Sequence, residues 1–355
     1  MKIRTILGLG IRIVLPIVII LVLVQKNYAN STTEKAESPA DEVCMIAVGD
    51  VMLSRYVDQK MQRLNDFQHP FSMTQDILRT ADLVFGNLEC PITPGRKIKN
   101  LEMVFRADPA VAKALKEAGF AIVSLANNHT LNFGAKGLTD TFRYLKEADV
   151  KFVGAGESLP EAYAPVYLER KGQKFAFLAY QFARYHTPED NPGLAYMELE
   201  RMAQNVQEAR SRADFVIVSM HAGGEYCKNP NLMQVTFAHA AIDAGADLVL
   251  GHHPHVVQKI EEYKQKFIFY SLGNFVFDQN DQKAREGLMA KVIFSGKEIK
   301  SLEAIPVVIK GWTTPEIVDG PKAAEILKRS DINLINHPAV ACSEEDSLRQ
   351  LMWKR

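Results

Sequence analysis

The 355-residue chain has few cysteines and no excess of charge of either sign. Its four cysteines, Cys44, Cys90, Cys227 and Cys342, are too few for a disulfide scaffold, and none forms a Cys-x-x-Cys pair typical of zinc or iron–sulfur sites. Lys and Arg together number 42, as do Asp and Glu, so no global field favours nucleic acid as a partner. The P-loop signature GxxxxGK[ST] is also absent, so ATP-driven ligation would need a partner protein.

Apolar residues, by contrast, are abundant: hydrophobic side chains make up 47% of the chain, which is enough to bury a large core. The longest apolar run is at the N-terminus, where the stretch 6–24 contains 19 residues and approaches the roughly 20 that cross a bilayer. A cleaved signal peptide is the alternative, because residues 13–24 also fit its apolar region. The poor cleavage site in NYANS (27–31) favours an uncleaved anchor over residues 1–26. Positive charges before the run would place the remainder outside the cytoplasm, at the cell surface or in the periplasm.

Composition changes again after this anchor. Residues 27–42 are polar and almost free of large apolar side chains, and are predicted to form a flexible linker. We expect one folded domain over residues 43–312 and a helical extension over 313–355. The extracytoplasmic compartment permits disulfides, but the sequence does not choose among the three full pairings of four cysteines.

From residue 43 onward, short β-branched runs alternate with segments of helical spacing, a pattern typical of an α/β layered fold. The predicted strands are 44–50, 82–89, 120–129, 174–180, 214–221, 246–253, 266–274, 287–294 and 299–311. The predicted helices are 108–120, 137–149, 198–213, 233–245 and 321–334.

Polar side chains recur where these predicted strands end. They are Asp50, Asn87, Glu89, Asn128, His129, His221, His252, His253, His255 and Asn274. Because the carboxyl ends of strands line the ligand crevice of an α/β sheet, we expect these groups to converge. Carboxylate, amide and imidazole groups together are the ligands of one divalent transition metal, such as Mn, Zn or Fe, or of two bridged by a carboxylate.

Each of these residues also has a purely structural interpretation. Asp50 can cap a following helix, and Asn87 and Asn128 are common turn residues. His221 can be a hydrogen-bonded core histidine, and the histidines around Pro254 can form a polar turn. Any one of these strand ends could carry its polar residue for a structural reason alone. It is much less probable that all five do so by chance, so the sequence predicts a metal site.

Six motifs then add a resemblance to a known family. They are AVGDVMLSR (47–55), GNLECPIT (86–93), LANNHTLNFG (125–134), SMHAGGEY (219–226), GHHPHVVQ (251–258) and YSLGNFVFDQ (270–279). Their order over about residues 43–280 resembles that of the CapA/PgsA-type capsule-biosynthesis proteins, associated with poly-γ-glutamate production. The resemblance implies the calcineurin-like metallophosphoesterase superfamily, with a core of two mixed β-sheets flanked by helices.

The resemblance also shows where this chain departs from the superfamily. Asp50 looks like the Asp of the D-x-H motif, but Met52 occupies the position of its His. Asn87 stands where the bridging Asp is expected, and Glu89 is the nearest carboxylate. These departures weaken one metal position, and leave open a mononuclear site or a binuclear one that uses Glu89.

The remaining motifs imply further ligands. Asn128 and His129 resemble the Gly-Asn-His motif, and His221 the isolated histidine of the fourth motif. GHHPH resembles Gly-His-x-His with one extra residue, so that His252 and His253 compete for one ligand role beside His255.

The resemblance also implies catalytic roles. Asp50, Glu89, Asn128, His221 and His255 would hold the ion. Asp50 and Asn128 would take part in catalysis with His129, which would protonate the leaving group. Asn87, Glu225 and Asn274 are predicted to bind substrate or to orient ligands, with a solvated carboxylate and turn asparagines as the alternatives.

Two classes of function follow from this sequence. In the first, the domain is a metal-dependent hydrolase or transferase that acts on an anionic polymer or a phosphoester. In the second, it is a non-catalytic subunit of a membrane-bound polyglutamate synthase, which binds or exports the polymer beside other membrane subunits. The near-complete ligand set favours the first, and the family association favours the second.

Overall fold

A computed structural model describes residues 42–182 and 188–330 of the protein. The predicted anchor (1–26), almost all of the predicted linker (27–42) and residues 331–355 of the predicted extension lie outside the described residues. Within the described ranges, none of the helices has the length and hydrophobicity needed to cross a bilayer. Cys44 and Cys90 are free thiols, so the structure contains none of the three full pairings considered above.

Sixteen β-strands are present in the described part of the chain. They are β1 (Val43–Val51), β2 (Leu83–Leu88), β3 (Phe120–Ser124), β4 (Lys151–Val153), β5 (Ala155–Gly156), β6 (Val166–Arg170), β7 (Gln173–Gln181), β8 (Gly193–Leu194), β9 (Phe215–His221), β10 (Leu248–His252), β11 (Ile260–Tyr263), β12 (Lys266–Phe269), β13 (Asn274–Val276), β14 (Glu286–Ser295), β15 (Glu298–Lys310) and β16 (Thr314–Ile317).

These strands form two large mixed sheets and one small ribbon. The first sheet has the order β16-β15-β14-β1-β2-β3-β4, and β13 pairs with β1 beside this path. Its strands β1 to β4 are parallel, whereas β14, β15 and β16 pair antiparallel. The second sheet has the order β11-β12-β10-β9-β7-β6, with a parallel centre and an antiparallel pair at each edge. Strands β5 and β8 form the ribbon.

Eight α-helices connect the strands. They are α1 (Arg55–Leu64), α2 (Gln75–Leu78), α3 (Ala110–Glu117), α4 (Gly134–Glu147), α5 (Leu159–Tyr163), α6 (Leu199–Arg210), α7 (Leu232–Ala244) and α8 (Gly320–Arg329). Short 3-10 turns lie at His69–Phe71 and Lys283–Arg285.

The side chains of β1 show how the layers are built. Ile46 and Val48 pack with α1, α3 and α4 in one apolar core. Met45 and Ala47 point the other way, into a second core shared with strands of the second sheet. Because successive strand residues face opposite sides, one strand contributes to both cores. A third core joins the second sheet to α6 and α7, which gives the layer order helix, sheet, sheet, helix.

The strand and helix pattern predicted an α/β layered fold, and the family resemblance implied two mixed sheets flanked by helices; both are confirmed. One predicted strand, 266–274, was wrong in detail: it divides into β12 of the second sheet and β13 of the first. The chain turns between them at Gly273, whose φ of 69° is a left-handed conformation that glycine adopts without strain. The segment predicted as a helical extension contains α8, and it also adds β16 to the first sheet before that helix begins.

Candidate metal centre

The carboxyl ends of β1, β2, β9 and β10, together with the first residue of β13, place the predicted residues side by side. In the first sheet, Asp50 of β1 is in register with Asn87 of β2 and with Asn274 of β13. In the second sheet, His252 of β10 is in register with His221 of β9. The two strand ends face each other across the layers, because the Nδ1 atom of His252 lies 3.3 Å from Oδ1 of Asp50. The convergence predicted from the strand ends is therefore present in the structure.

Glycine is required immediately before two of these predicted ligands. A Cβ atom on Gly49 would overlap the backbone carbonyl of Gly273, and one on Gly251 would overlap that of Tyr270. Close backbone approach without a side chain brings β13 against β1 and the chain that follows β12 against β10. Any larger residue at either position would push Asp50 or His252 away from the centre.

Asp50 is completely buried at the middle of the cluster. Its Oδ1 accepts a hydrogen bond of 2.8 Å from Nδ2 of Asn87. Its Oδ2 accepts one of 3.3 Å from the backbone N–H of His253 and lies 3.5 Å from Nδ1 of His255. These contacts fix the carboxylate while leaving it open to a cation.

Two amide side chains contact His221, and a third supports one of them. The Nε2 atom of His221 lies 2.8 Å from Oδ1 of Asn128, and its Nδ1 atom lies 3.2 Å from Nδ2 of Asn87. Asn127 in turn donates to Oδ1 of Asn87 at 3.0 Å. Asn87 thus orients both Asp50 and His221. The 2.8 Å separation between Asn128 and His221 suits two adjacent ligands of one ion as well as a hydrogen bond.

Glu89 is a buried carboxylate beside these side chains. Its side chain is fully buried, and neither carboxylate oxygen has a hydrogen-bond partner among the described residues. Its Oε1 atom lies 3.8 Å from Nε2 of His255 and 3.9 Å from Nε2 of His129. The Nε2 atom of His252 is also buried without a hydrogen-bond partner in the described structure. Since buried polar groups are normally paired, these unpaired donor atoms fit a bound cation.

Two groups of three side chains have the spacing of a coordination shell. Asp50, Glu89 and His221 each offer one atom, and these atoms lie within 4.8 Å of one another. Glu225, His253 and His255 form a second group, whose ligand atoms also lie within 4.8 Å of one another. Ligands on opposite sides of one ion are about 4.2 Å apart, because each metal–ligand bond is about 2.1 Å long. Small side-chain movements would therefore close either group around an ion.

The pKa values of the carboxyl groups respond to this crowding. Burial opposes ionisation of Asp50, but His252 and His255 outweigh it and hold the Asp50 pKa well below its usual range. Burial raises the pKa of Glu89 well above its usual range, and the neighbouring Asp50 charge adds to the effect. The two carboxyl groups thus behave as a pair in which one readily ionises and the other resists.

The pKa values of the histidines also shift in opposite directions. Burial lowers the pKa of His221 well below its usual value and that of His129 to about 4, so both are neutral at pH 7. Burial also disfavours the charged form of His255, but Glu89 and Asp50 outweigh it and raise its pKa to about 10. A cation at the site would replace the positive charge that His255 otherwise supplies.

His129 lies at the edge of the cluster, stacked on Phe105 with ring centroids 3.9 Å apart. Its Nδ1 atom lies 3.0 Å from Oδ1 of Asn132, and the same oxygen accepts a 2.7 Å hydrogen bond from the backbone N–H of Phe105. The shared acceptor shows that Nδ1 carries the proton, which leaves Nε2 facing Glu89 as an acceptor.

The remaining predicted residues lie around this cluster or in the core beside it. The substrate-binding roles predicted for Asn87, Glu225 and Asn274 stay predictions, although Asn87 and Asn274 are fully buried. The Oδ1 atom of Asn274 lies 2.9 Å from Nδ1 of His255, so Asn274 orients that ring. Met52 packs in the core between the first sheet and its helices, and its Sδ atom lies 3.1 Å from the backbone nitrogen of Ser54.

Two contributors to the site had no role predicted from the sequence. Asn127 was visible as an amide at a strand end, next to Asn128, but was given no role. Phe105 follows no strand in the sequence pattern and carries no polar group, so no signal indicated its contact with His129.

Sequence and structure comparisons show which known proteins the chain is similar to. Residues 44–279 match the family described as bacterial capsule synthesis protein PGA_cap. The chain is 34% identical over 316 residues to a capsule biosynthesis protein CapA of Bacillus anthracis, covering 84% of this chain and 76% of that protein. It is 32% identical over 327 residues to a PGA biosynthesis protein CapA of Bacillus subtilis strain 168, covering 90% and 84%. A hypothetical protein from Thermus thermophilus aligns in structure with a TM-score of 0.49 at 18% identity, covering 74% of this chain and 98% of that one.

Proposed function

The chain belongs to the PGA_cap family of bacterial capsule synthesis proteins, and from this premise we propose that its site binds a divalent metal ion and performs metal-assisted hydrolysis or transfer. The substrate we propose is an anionic capsule polymer such as poly-γ-glutamate, or a phosphoester formed during its synthesis. The observation that carries the proposal is the buried Glu89 carboxylate, which has no hydrogen-bond partner among the described residues and lies beside Asp50 and His221.

Each side chain has a defined part in this proposal. Asp50, Glu89, Asn128 and His221 would hold the ion, and His255 would join them on losing its proton. The ion would act as a Lewis acid and lower the pKa of a bound water toward neutrality. Asn87 would keep Asp50 and His221 in position through its two amide contacts.

His129 is the proton-handling group in the proposal. Its Nδ1–H is bound to Asn132, so Nε2 is the atom that would take up a proton and later deliver it to the leaving group. Its pKa of about 4 makes it an acceptor at neutral pH. An anionic substrate beside it would stabilise the protonated ring and raise its pKa, so that the ring could then donate a proton.

We also propose that residues 1–26 anchor the protein in the membrane, with the folded domain outside the cytoplasm. The apolar run and its preceding positive charges support this arrangement. The domain would then meet a polymer at the membrane surface, beside other subunits of a synthase complex. This placement agrees with the capsule-biosynthesis relatives at 32–34% identity.

Metal analysis of the full-length protein in detergent tests the function. We expect stoichiometric Mn or Zn in the parent protein and its loss in His221→Ala and His255→Ala. His239→Ala is a matched control, because His239 contacts Glu261 and Tyr263 of the second sheet rather than the site. Hydrolysis of phosphodiester and γ-glutamyl substrates would then identify the reaction. Bound metal without turnover of either substrate would favour the non-catalytic polymer-binding subunit, and absence of metal would overturn the proposal.

A further inference from the structure

Gln181 ends strand β7 directly beside His221. The two residues are in register, and His252 of β10 is in register with His221 on its other side. Neighbouring strands lie about 4.8 Å apart, so the three residues form one row at the carboxyl end of the second sheet. Gln181 is the member of this row that had no role predicted from the sequence.

The side chain of Gln181 points into the space between the two large sheets. Phe177 and Ala179 of the same strand pack in the core between these sheets. Because alternate residues of a strand face the same side, Gln181 faces that side too. Ile217 of β9 belongs to the same core, so His221, four residues further along β9, has the same orientation. Gln181 therefore extends toward the candidate metal centre and away from helices α6 and α7.

The carboxamide of Gln181 is fully buried, and neither Oε1 nor Nε2 has a hydrogen-bond partner among the described residues. The backbone of Gln181 is paired on both sides. Its N–H donates a 3.0 Å hydrogen bond to the carbonyl of Ala195, and its carbonyl accepts one of 3.0 Å from the N–H of Met197. Since buried polar groups are normally paired, an unpaired amide beside the centre indicates that a ligand group binds there.

The two polar atoms of Gln181 together indicate the chemistry of that group. A metal ion would bind Oε1 alone, because the amide nitrogen is a donor only. An ionised phosphoester offers only acceptor oxygens, so it would pair with Nε2 and leave Oε1 facing negative charge. An amide bond offers a carbonyl oxygen and an N–H side by side, which match Nε2 and Oε1 respectively. This complementarity favours an amide-linked substrate.

We propose that Gln181 is a specificity-determining residue that binds an amide bond of the substrate, with Nε2 donating to the carbonyl oxygen and Oε1 accepting from the N–H. This inference rests on the proposed function and deepens it, because it selects an amide-linked anionic polymer over a phosphoester as the substrate of the same site. Asn128, which lies 2.8 Å from Nε2 of His221, is half-buried and gives this side of the cluster contact with solvent. A substrate that lacks either group would leave a buried polar atom unpaired, which is a strong basis for discrimination.

Calorimetric binding of two synthetic oligomers to the full-length protein, loaded with Mn²⁺ in detergent, tests this inference. One is a γ-linked glutamate oligomer, and in the other an ester oxygen replaces each amide N–H. We expect the parent protein to bind the amide oligomer about 10-fold more tightly, because the ester leaves Oε1 of Gln181 without a donor. Gln181→Met, which is apolar and of similar length, should bind both oligomers equally and keep the parent's number of Mn²⁺ ions. Gln207→Met, at an exposed position of α6, is the matched control and should behave as the parent does.

Thermal unfolding without oligomer separates a binding role from a structural one. Gln181→Met should melt at or above the temperature of the parent protein, because methionine buries no unpaired amide. Gln234→Met provides the contrast. Gln234 is also fully buried, but its Nε2 donates a 2.9 Å hydrogen bond to Oε1 of Gln258, so this variant should melt at a lower temperature.

Three results would overturn the inference. They are the absence of an amide preference in the parent protein, the same preference retained in Gln181→Met, or a lower melting temperature of Gln181→Met. A parent protein that holds Mn²⁺ but shows no amide preference would eliminate this inference alone. A parent protein without bound Mn²⁺ would eliminate the proposed function and this inference with it.

Discussion

Replacing Glu89 with Gln should make the metal-free protein more stable at neutral pH. The carboxyl is fully buried, lacks a hydrogen-bond partner in the described structure and lies beside Asp50. Its pKa is raised well above 4.5, first by burial and then by the Asp50 charge. Such a carboxyl destabilises the folded state at pH values above its unfolded pKa.

The size of the effect follows from the same contacts. Because a glutamine at this position is also buried and polar, the gain comes only from removing the ionisation penalty, which should raise the free energy of unfolding by about 1–3 kcal/mol at pH 7. The penalty grows by at most about 1.4 kcal/mol per pH unit above the unfolded pKa. The difference between parent and variant should therefore shrink toward zero as the pH falls to about 4.5.

Urea unfolding in EDTA, followed by circular dichroism between pH 4.5 and pH 7, measures this difference. Excess Mn²⁺ should reverse the order, because an ion at about 100 times its Kd stabilises the parent by about 2.7 kcal/mol and the variant much less. Glu262→Gln, on the exposed side of β11, should change stability by less than about 0.5 kcal/mol. A Glu89→Gln protein that is less stable than the parent at every pH would refute the reasoning.

Three further predictions concern the surroundings of the centre. Asn274→Ala should weaken metal binding by about 10- to 100-fold, measured by calorimetry, because the His255 ring loses the hydrogen bond that orients it. The protein should stay folded, and an unchanged affinity would contradict the orienting role. Metal binding at pH 7 should release at least one proton, because His255 has a pKa of about 10 and must lose its proton to coordinate the ion. Binding heats that are the same in buffers of different ionisation enthalpy would contradict this. Glu286→Gln should lower the free energy of unfolding, measured in urea, by about 1.5–3 kcal/mol, because its buried carboxylate pairs with Lys322 and Arg329 of α8. Glu325→Gln, on the exposed side of the same helix, is the control.

Much of the fold was readable from the sequence because its central strands are buried on both faces. Strands such as β1 and β9 are continuous apolar runs with a polar residue at the carboxyl end, and that end is where the site lies. Shorter edge strands were missed. Strand β6, for example, is only partly buried, so its composition does not differ enough from a loop.

The site was predictable as a set of residues rather than as an arrangement. Strand-end polarity indicated Asp50, His221 and His255, because parallel strands bring their ends to one edge. The hydrogen bonds that make Asn87 a support for Asp50 depend on the register between β1 and β2, which the sequence does not state. The division of residues 266–274 between two sheets depends on a single glycine turn that a continuous apolar run conceals.

Anomalous X-ray diffraction from crystals grown with Mn²⁺ tests the central claim most directly. We expect a strong anomalous peak among Asp50, Glu89, Asn128 and His221, within about 2.5 Å of the carboxylate and amide oxygens. Crystals in which Mn²⁺ appears only at surface carboxylates, with no peak among these four side chains, would contradict it.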